Sequence, residues 1–422
     1  LTKKLLGLRK IWNMNIGLIG INFGWGLQMA NMSAIYEYLG AKPSHIPILW
    51  LAAPLTGLLI QPIIGCMSDH TWCFLGRRKP YILVGAILSS IALFFMPLSS
   101  TLWMAAVTLW ILDASVNVSM GPFRALVPDL LPESQVTIGY IIQAITIAIG
   151  TVTASALPWI LQNIFHVSSD SGNIPLVVRW SFWVGALVFI LSILWTTLST
   201  QELAPDCCVK KHWKETRVDM FHDIFHLPKK MWDLGWVMIF SWMGLFCMFL
   251  FFPIAVANNI FNAAPNTPQY LAGLEWAGLC FAIYAAFFLL VSFLLPYINK
   301  LISRKMIHVL SLACGGLGLV GMLLIHTKWA LIWSMLGIGI AFASMQSMPY
   351  AMLANSLPEE KIGIYMGIFN LFIVVPEILI SVGFGFIMQY ILHNNRELAV
   401  VTGGIFMLIA SLLTLRVKDV ST

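Results

Sequence analysis

The sequence predicts an all-α membrane protein of twelve transmembrane helices in two groups of six, and three observations carry that prediction. Hydrophobic residues make up 59% of the 422 residues and charged residues 10%, against about 25% charged in ordinary soluble domains. Runs of about twenty predominantly apolar residues, long enough to cross a hydrocarbon core of about 30 Å, recur twelve times. They are centred near residues 24, 57, 89, 112, 147, 188, 245, 284, 315, 341, 374 and 406. The longest hydrophilic segment, Thr200 to Asp233, separates the sixth run from the seventh. The chain thus divides into an N-terminal bundle (1–199), a linker (200–232) and a C-terminal bundle (233–422).

The distribution of charge orients these spans. The formal net charge is +6, yet the basic residues form no single patch for nucleic acid. With the N-terminus inside, Lys3, Lys4, Arg9, Lys10, Arg77, Arg78, Lys79, Lys210, Lys211, Lys300, Arg304 and Lys305 all fall in cytoplasmic segments. Only Lys42, Arg179, Lys328 and Arg396 fall outside. This asymmetry follows the positive-inside rule and places both termini in the cytoplasm. Short loops and the lack of long tails point to a bacterial inner membrane rather than a plant plasma membrane.

Taken in order, the first run carries Asn22, Gln28 and Asn31 and is too long and too polar for a cleaved signal peptide. Because the sequence opens on Leu1, a few leading residues are expected to precede it. The loop after the second span is basic (Arg77, Arg78, Lys79), and so is the loop after the eighth (Lys300, Arg304, Lys305), a weak internal repeat between the halves. Two six-helix halves joined by an inner linker are the layout of carriers built from repeats around a central cavity. The linker mixes both signs of charge and is expected to hold a short amphipathic helix on the inner surface. Gly315, Gly316, Gly318 and Gly321 in the ninth span, and Gly383 with Gly385 in the eleventh, are expected to let helices approach closely. Of the seven cysteines, Cys66, Cys73, Cys207 and Cys208 lie at or near the cytoplasmic face and Cys247, Cys280 and Cys314 lie within spans. No disulfide framework follows.

The fourth span holds the residue with the largest energetic consequence. Asp113 lies eleven residues into a run beginning near Leu102, about 16 Å deep and near the bilayer centre. An ionised Asp there costs about 2.5 kcal/mol or more on insertion scales, so it should face a polar interior. Asn117, Gly121 and Arg124 follow at steps of four, four and three and share its face. That face is expected to look into a water-filled cavity. A carboxyl in such a partly dry place can take up and release a proton; the competing reading is an Asp bonded to Asn117 to hold helices together.

Other chemistry leaves no trace. The sequence has no phosphate-binding GxxxxGK[ST] loop, and HExxH, CxxC and GxSxG are absent, so an ATPase motor and the usual zinc, redox and hydrolase signatures are missing. No cofactor beyond a coupling proton is expected, and no enzyme activity.

Several stretches together resemble one family. Phe23–Gln28 (FGWGLQ), Gln61-Pro62 continuing through GCMSDHTWCFLGRRKP to Pro80, and WILDASVNVSMGPFRALVPDL from Trp110 to Leu130 occur in the order of the plant sucrose/proton symporters. YMGIFNLFIVVPE, Tyr365–Glu377, is a further echo. The chain thus resembles these symporters and their animal and bacterial relatives, within the major facilitator superfamily. The resemblance implies that fold, with a central cavity between two six-helix bundles, and import of a disaccharide or glucoside of the sucrose/maltose type with a proton. Facilitated or other-cation-coupled glycoside transport is the runner-up; a non-transporting sugar sensor and an intramembrane enzyme are the readings from other classes.

On that reading Asp113 is the coupling residue, and Glu377 is a candidate second protonatable site or a paired structural carboxylate. Amides and aromatic faces are the natural partners of sugar hydroxyls and C–H bonds. The candidates are Phe23, Trp25, Gln28, Asn31, Asn117, Gln346 and Asn370. Asp69 with Arg77 and Arg78 is expected to latch helix ends on the cytoplasmic side, the competing reading being a topology signal that keeps the loop inside, and Arg124 with Asp129 either to form inner gate pairs or to serve the substrate. Departures from the plant pattern are Glu377 in place of Gln, Glu275 near the outer end of the eighth span, and Pro253, Asn258 and Asn259 at the end of the seventh. They leave the sugar open. The expected partners are a small sugar and the lipid bilayer, with a monomer as the functional unit.

Overall fold

A computed structural model describes residues 5–167, 174–202, 228–354 and 362–417. Within these, the side chains at positions 62, 66, 69, 70, 128, 133, 134, 136, 137, 296, 354 and 362–368 are outside the description. Most of the linker, with Cys207 and Cys208, lies outside the described residues, so the amphipathic helix expected there does too.

The N-terminal half comprises α1 (Leu8–Asn15), α2 (Gly17–Tyr38), the short α3 (Ile46–Leu49), α4 (Ala52–His70), α5 (Lys79–Phe95), α6 (Leu102–Leu130), α7 (Glu133–Asn163) and α8 (Leu176–Ser199). The C-terminal half comprises α9 (Lys229–Ala255), α10 (Pro268–Ile298), α11 (Arg304–Val320), α12 (Leu331–Met345), α13 (Met348–Ala354), α14 (Ile362–Tyr390) and α15 (Arg396–Thr414). Among the described residues 11 helical stretches are long and apolar enough to cross a membrane. They coincide with the second to twelfth runs of the sequence.

The first run, α2, is not among them, and its surroundings explain why. Every residue of this helix is buried except Ile19, Trp25 and Met29, which are half-buried. A helix enclosed by protein meets little lipid and tolerates the amides and glycines that a lipid-facing helix does not. At 22 residues it is about 33 Å long, enough to span. Twelve crossings return the chain to the side where it began, here called the terminus side. Exposed Trp72, Trp195 and Trp232 lie at helix ends on that side, and Trp103, Trp180, Trp329 and Trp333 at the far side, two aromatic belts of the kind that mark membrane interfaces.

Glycine lets the helices approach. A Cβ on Gly403 would lie 2.7 Å from the Gly244 carbonyl oxygen, and one on Gly404 would lie 2.8 Å from that of Gly316, so α15 meets both α9 and α11 backbone to backbone. Gly315, Gly318 and Gly385 are also crowded by neighbouring helices, as expected. Gly321 and Gly383 are not: a side chain there would meet no atom within 4 Å. Gly321 lies just past the end of α11, and Gly383 is on an open stretch of α14, so neither has a packing role.

These contacts predict that Gly404→Val destabilises the protein by about 1–3 kcal/mol or more through overpacking, while Gly383→Ala is neutral. Thermal unfolding of both variants in detergent checks the contrast; equal melting temperatures would contradict it.

Candidate functional site

The site grows from α6. Its first turn is capped by Thr101, whose hydroxyl accepts from the Met104 backbone N–H at 3.3 Å. Asp113 is 1% exposed. Its Oδ1 accepts a hydrogen bond of 3.0 Å from Gln28 Nε2 on α2.

One turn on, Asn117 Nδ2 donates to the Asp113 backbone oxygen (2.8 Å) and to Thr56 Oγ1 on α4 (3.1 Å). Its Oδ1 accepts from Gln61 Nε2 at 2.6 Å. The polar stripe of α6 is therefore sealed between α2 and α4 at Asp113 and Asn117, rather than open to water along its whole length as the sequence implied. The neighbouring helices supply amide and hydroxyl partners, and these shut it. It opens lower down, where Gly121 is half-buried and Arg124 exposed. Arg124 lies within electrostatic reach of Tyr350 on α13 of the other half, so it faces the space between the halves and not lipid.

The other sugar candidates separate into two groups. Phe23 is directed into the packing of the N-terminal half, where its ring approaches Gly185 of α8. Asn31 lies one turn beyond Leu27, which also meets Gly185, and its amide donates to the Leu27 backbone oxygen at 2.9 Å. Neither residue reaches the Asp113 cluster. Trp25 is half-buried. In the second half Gln346 is exposed at the break between α12 and α13, and Asn370 is exposed on α14. Glu377, half-buried just after Pro376 within α14, lies seven residues from Asn370 and therefore on the same face.

At the terminus side Arg78 donates from Nε to Asp129 Oδ2 at 2.9 Å and from Nη1 to Ser68 Oγ at 2.6 Å. The Asp69 side chain lies outside the described residues. Asp129 thus pairs with Arg78 and not with Arg124, because α5 begins beside the end of α6. Glu202, which the sequence did not single out, accepts from the backbone N–H groups of Arg77 (2.6 Å), Arg78 (2.8 Å) and Lys79 (2.9 Å). A carboxylate on those N–H groups satisfies the start of α5 and complements its dipole. The side-chain partners Ser68 and Asp129 belong to the N-terminal half and Glu202 to the start of the linker just after α8, so the cluster clamps one bundle. The second half has a counterpart at the start of α11, where Arg304 Nη1 donates to the Ala351 backbone oxygen at 3.0 Å.

Contacts between the halves are built at the far side. Glu37, 4% exposed at the end of α2, accepts from Tyr270 Oη on α10 at 2.5 Å and from Arg396 Nε on α15 at 2.7 Å. Tyr38 packs edge-on against Tyr270, with ring centroids 5.7 Å apart. Arg396 is also held by Asn258 Oδ1 at 3.5 Å, and Asn259 Nδ2 donates to Glu397 Oε2 at 3.0 Å. Both asparagines sit in the π-helical turn Val256–Ile260 that follows Pro253. This departure from the plant pattern therefore builds a far-side closure. Glu275, 3% exposed, has its Oε1 without a partner among the described residues.

Comparisons with known proteins agree with this architecture. The family model described as Major Facilitator Superfamily matches residues 14–381. Sucrose transport protein SUC4 of Arabidopsis thaliana is 24% identical over 419 residues, covering 87% of this chain and 81% of the relative. Sucrose transport protein SUT2 of Oryza sativa subsp. indica is 24% identical over 433 residues, covering 90% and 86%. Among solved structures, the nucleoside transporter NupG aligns with a TM-score of 0.74 at 14% identity, over 97% of this chain and 99% of that one. A bacterial homolog of the human lysosomal transporter Spinster, in an inward-facing and unoccupied conformation, aligns with a TM-score of 0.72 at 13% identity, over 98% of each chain.

Both oxygens of Glu37 are engaged across the halves, so Glu37→Ala removes two closing contacts at once and leaves Arg396 without its carboxylate. Removing one partner of such a buried pair costs about 3 kcal/mol or more. The variant is expected to populate a far-side-open state. Spin labels on the loops after α2 and before α10 should show a longer distance than in the unsubstituted protein; an unchanged distance distribution would refute the closure.

Proposed function

From a chain that belongs to the Major Facilitator Superfamily, and is thus a multi-pass membrane transporter of a small solute and not an enzyme, we propose a proton-coupled sugar symporter that works by alternating access. The observation that carries this reading is Asp113, a carboxyl near mid-membrane, 1% exposed, with one oxygen held by Gln28 and the other without a partner among the described residues. An acid at this depth is costly unless it has a function or an obligatory partner. The sequence relationship to plant sucrose transport proteins makes a disaccharide or glucoside the favoured cargo.

The sugar sits between the halves, where Trp25 offers an aromatic face and Gln61, Gln346 and Asn370 offer amides, with Arg124 below them. Asp113 and Asn117 lie behind this surface and sense the site through Gln61 and Gln28. The basic terminus side is cytoplasmic by the positive-inside rule. The far-side closure around Glu37 then makes this an inward-facing arrangement. Opening the far side exchanges the Glu37 contacts for closure at the cytoplasmic end, while the clamps around Arg78 and Arg304 keep each half rigid.

Energetics are adequate without ATP. One proton moving down 100 mV contributes about 2.3 kcal/mol, enough for roughly fifty-fold accumulation of a neutral sugar before any pH gradient is added. Glu377, on the Asn370 face, is positioned as a second acid that the sugar or a proton can reach.

The expected outcome in proteoliposomes is uptake of labelled sucrose or maltose that rises as the outside is acidified and collapses with a protonophore. Asp113→Asn should lose accumulation against a gradient while retaining measurable sugar counterflow. Uptake indifferent to the protonophore would instead indicate facilitated or other-cation-coupled transport, and chemical change of the sugar would indicate an enzyme.

A further inference from the structure

Two buried acceptors at the centre of the N-terminal half have no hydrogen-bond partner among the described residues, and they belong to the two side chains already bonded to each other. Gln28 Nε2 donates to Asp113 Oδ1 at 3.0 Å, whereas Asp113 Oδ2 and Gln28 Oε1 are both orphaned. Gln28 and Asp113 are each 1% exposed, so bulk water does not satisfy these atoms. Leaving one such acceptor unmade costs about 1–3 kcal/mol, and here there are two.

A carboxylate is an acceptor only, and an amide oxygen is an acceptor only. With Asp113 ionised, no arrangement of these two groups satisfies both orphans. One proton on Oδ2 would supply the missing donor, with Oδ2–H directed to Gln28 Oε1 while Nε2–H continues to donate to Oδ1. Acid and amide then close an eight-membered ring of two hydrogen bonds.

We propose that Gln28 is the positioning residue for the coupling proton, and that the described arrangement is the proton-loaded one, with Asp113 and Gln28 joined as a cyclic acid–amide pair. The proposal rests on the proton-coupling reading and deepens it. Loading brings a proton from the outer water to Oδ2; unloading passes it to water on the terminus side and breaks the Oδ2–Oε1 bond. Gln28 must then turn away, or a polar group of the sugar or water must take the place of one acceptor. The proton state of Asp113 is thereby converted into a difference in how α2 sits against α6.

No neighbouring charge offers an alternative. The titratable group facing Asp113 from α2 is Tyr36, which interacts with it electrostatically and whose hydroxyl donates to the Leu49 backbone oxygen at 3.3 Å. α4 presents Thr56 and Gln61 to this region, and its titratable residues, Cys66, Asp69 and His70, lie at its terminus-side end. Between Ile82 and Phe95, α5 has no titratable residue, and on α7 they are confined to Glu133 and Tyr140. Along α6 itself the next charge is Arg124, eleven residues on.

Infrared difference spectra of the full chain in vesicles, recorded across a pH step, test this directly. A protonated-carboxyl stretch that Asp113→Asn removes is expected at the low wavenumber of a doubly hydrogen-bonded acid, and it should move to higher wavenumber in Gln28→Leu. Gln28→Asn, one methylene too short to close both contacts, should give the same shift and serves where the Leu variant fails to insert. A band that stays in place in correctly inserted Gln28 variants would overturn the role of Gln28 and leave proton coupling standing. Absence of any Asp113-dependent band, with uptake indifferent to a protonophore, would overturn both.

Discussion

A carboxyl at mid-membrane must be either satisfied or discharged, and the N-terminal half is arranged around that constraint. Asp113 is reached by the side chain of Gln28 from α2, while Asn117, one turn below, draws in Thr56 and Gln61 from α4. In hydrocarbon no water competes for such groups, so helices carrying polar side chains are held in register by them. α2, which provides a polar partner to Asp113, is shielded from lipid. Its glycines follow from the same enclosure: a side chain on Gly26 would meet Ala154 of α7 at 2.8 Å, and one on Gly24 would meet Phe189 of α8 at 3.2 Å.

The two ends of the molecule use ionic contacts differently, as the proposed alternation between two states requires. At the terminus side, Arg78, Asp129, Ser68 and Glu202 bind helix ends of one half to each other. These contacts survive any relative rotation of the halves. At the far side, Glu37 reaches Tyr270 and Arg396 across the boundary, so these contacts cannot survive it. Rigid halves with a breakable closure are the requirement for a hinge-like transition between discrete arrangements. A closure of a few kcal/mol is small enough for ligand and proton binding to reverse.

Much of this was legible from sequence because membrane physics simplifies the reading. Length and apolarity located the spans, and the isolated Asp113 stood out because an acid in such a run is expensive. Spacing placed Asn117 and Arg124 on its face, and the basic loops marked the two helix starts where Arg78 and Arg304 are bonded, though not their partners. What spacing cannot give is which neighbour a face meets. Phe23 and Asn31 have the chemistry of a sugar site, but Phe23 is turned toward α8 and the Asn31 amide bonds back to the Leu27 carbonyl of its own helix, and periodicity along one helix does not contain that information. Glu202 lay in a segment that read as a linker, and its role depends on the end of α8 lying beside the start of α5. The far-side closure needed three residues hundreds of positions apart. Its one local signal was Glu37, an acid in the last turn of the first span.

The position of Gln28 and Glu37 on one helix has a mechanical consequence. Nine residues separate them, two and a half turns, which puts them on opposite faces about 13 Å apart along the axis. Gln28 faces inward to Asp113 of its own half, and Glu37 faces outward to Tyr270 and Arg396 of the other. Helix kinks arise at prolines, at glycine and serine pairs or at bulges, and between Gln28 and Glu37 α2 has neither proline nor glycine. On the proposed proton coupling, a shift of α2 against α6 on loading or unloading Asp113 would reach the Glu37 carboxylate, whose two hydrogen bonds depend on tenths of an ångström. The proposed proton site and the far-side closure would then be the two ends of a single lever, and coupling between them would need no chain of intermediate residues, only the stiffness of one helix enclosed by protein.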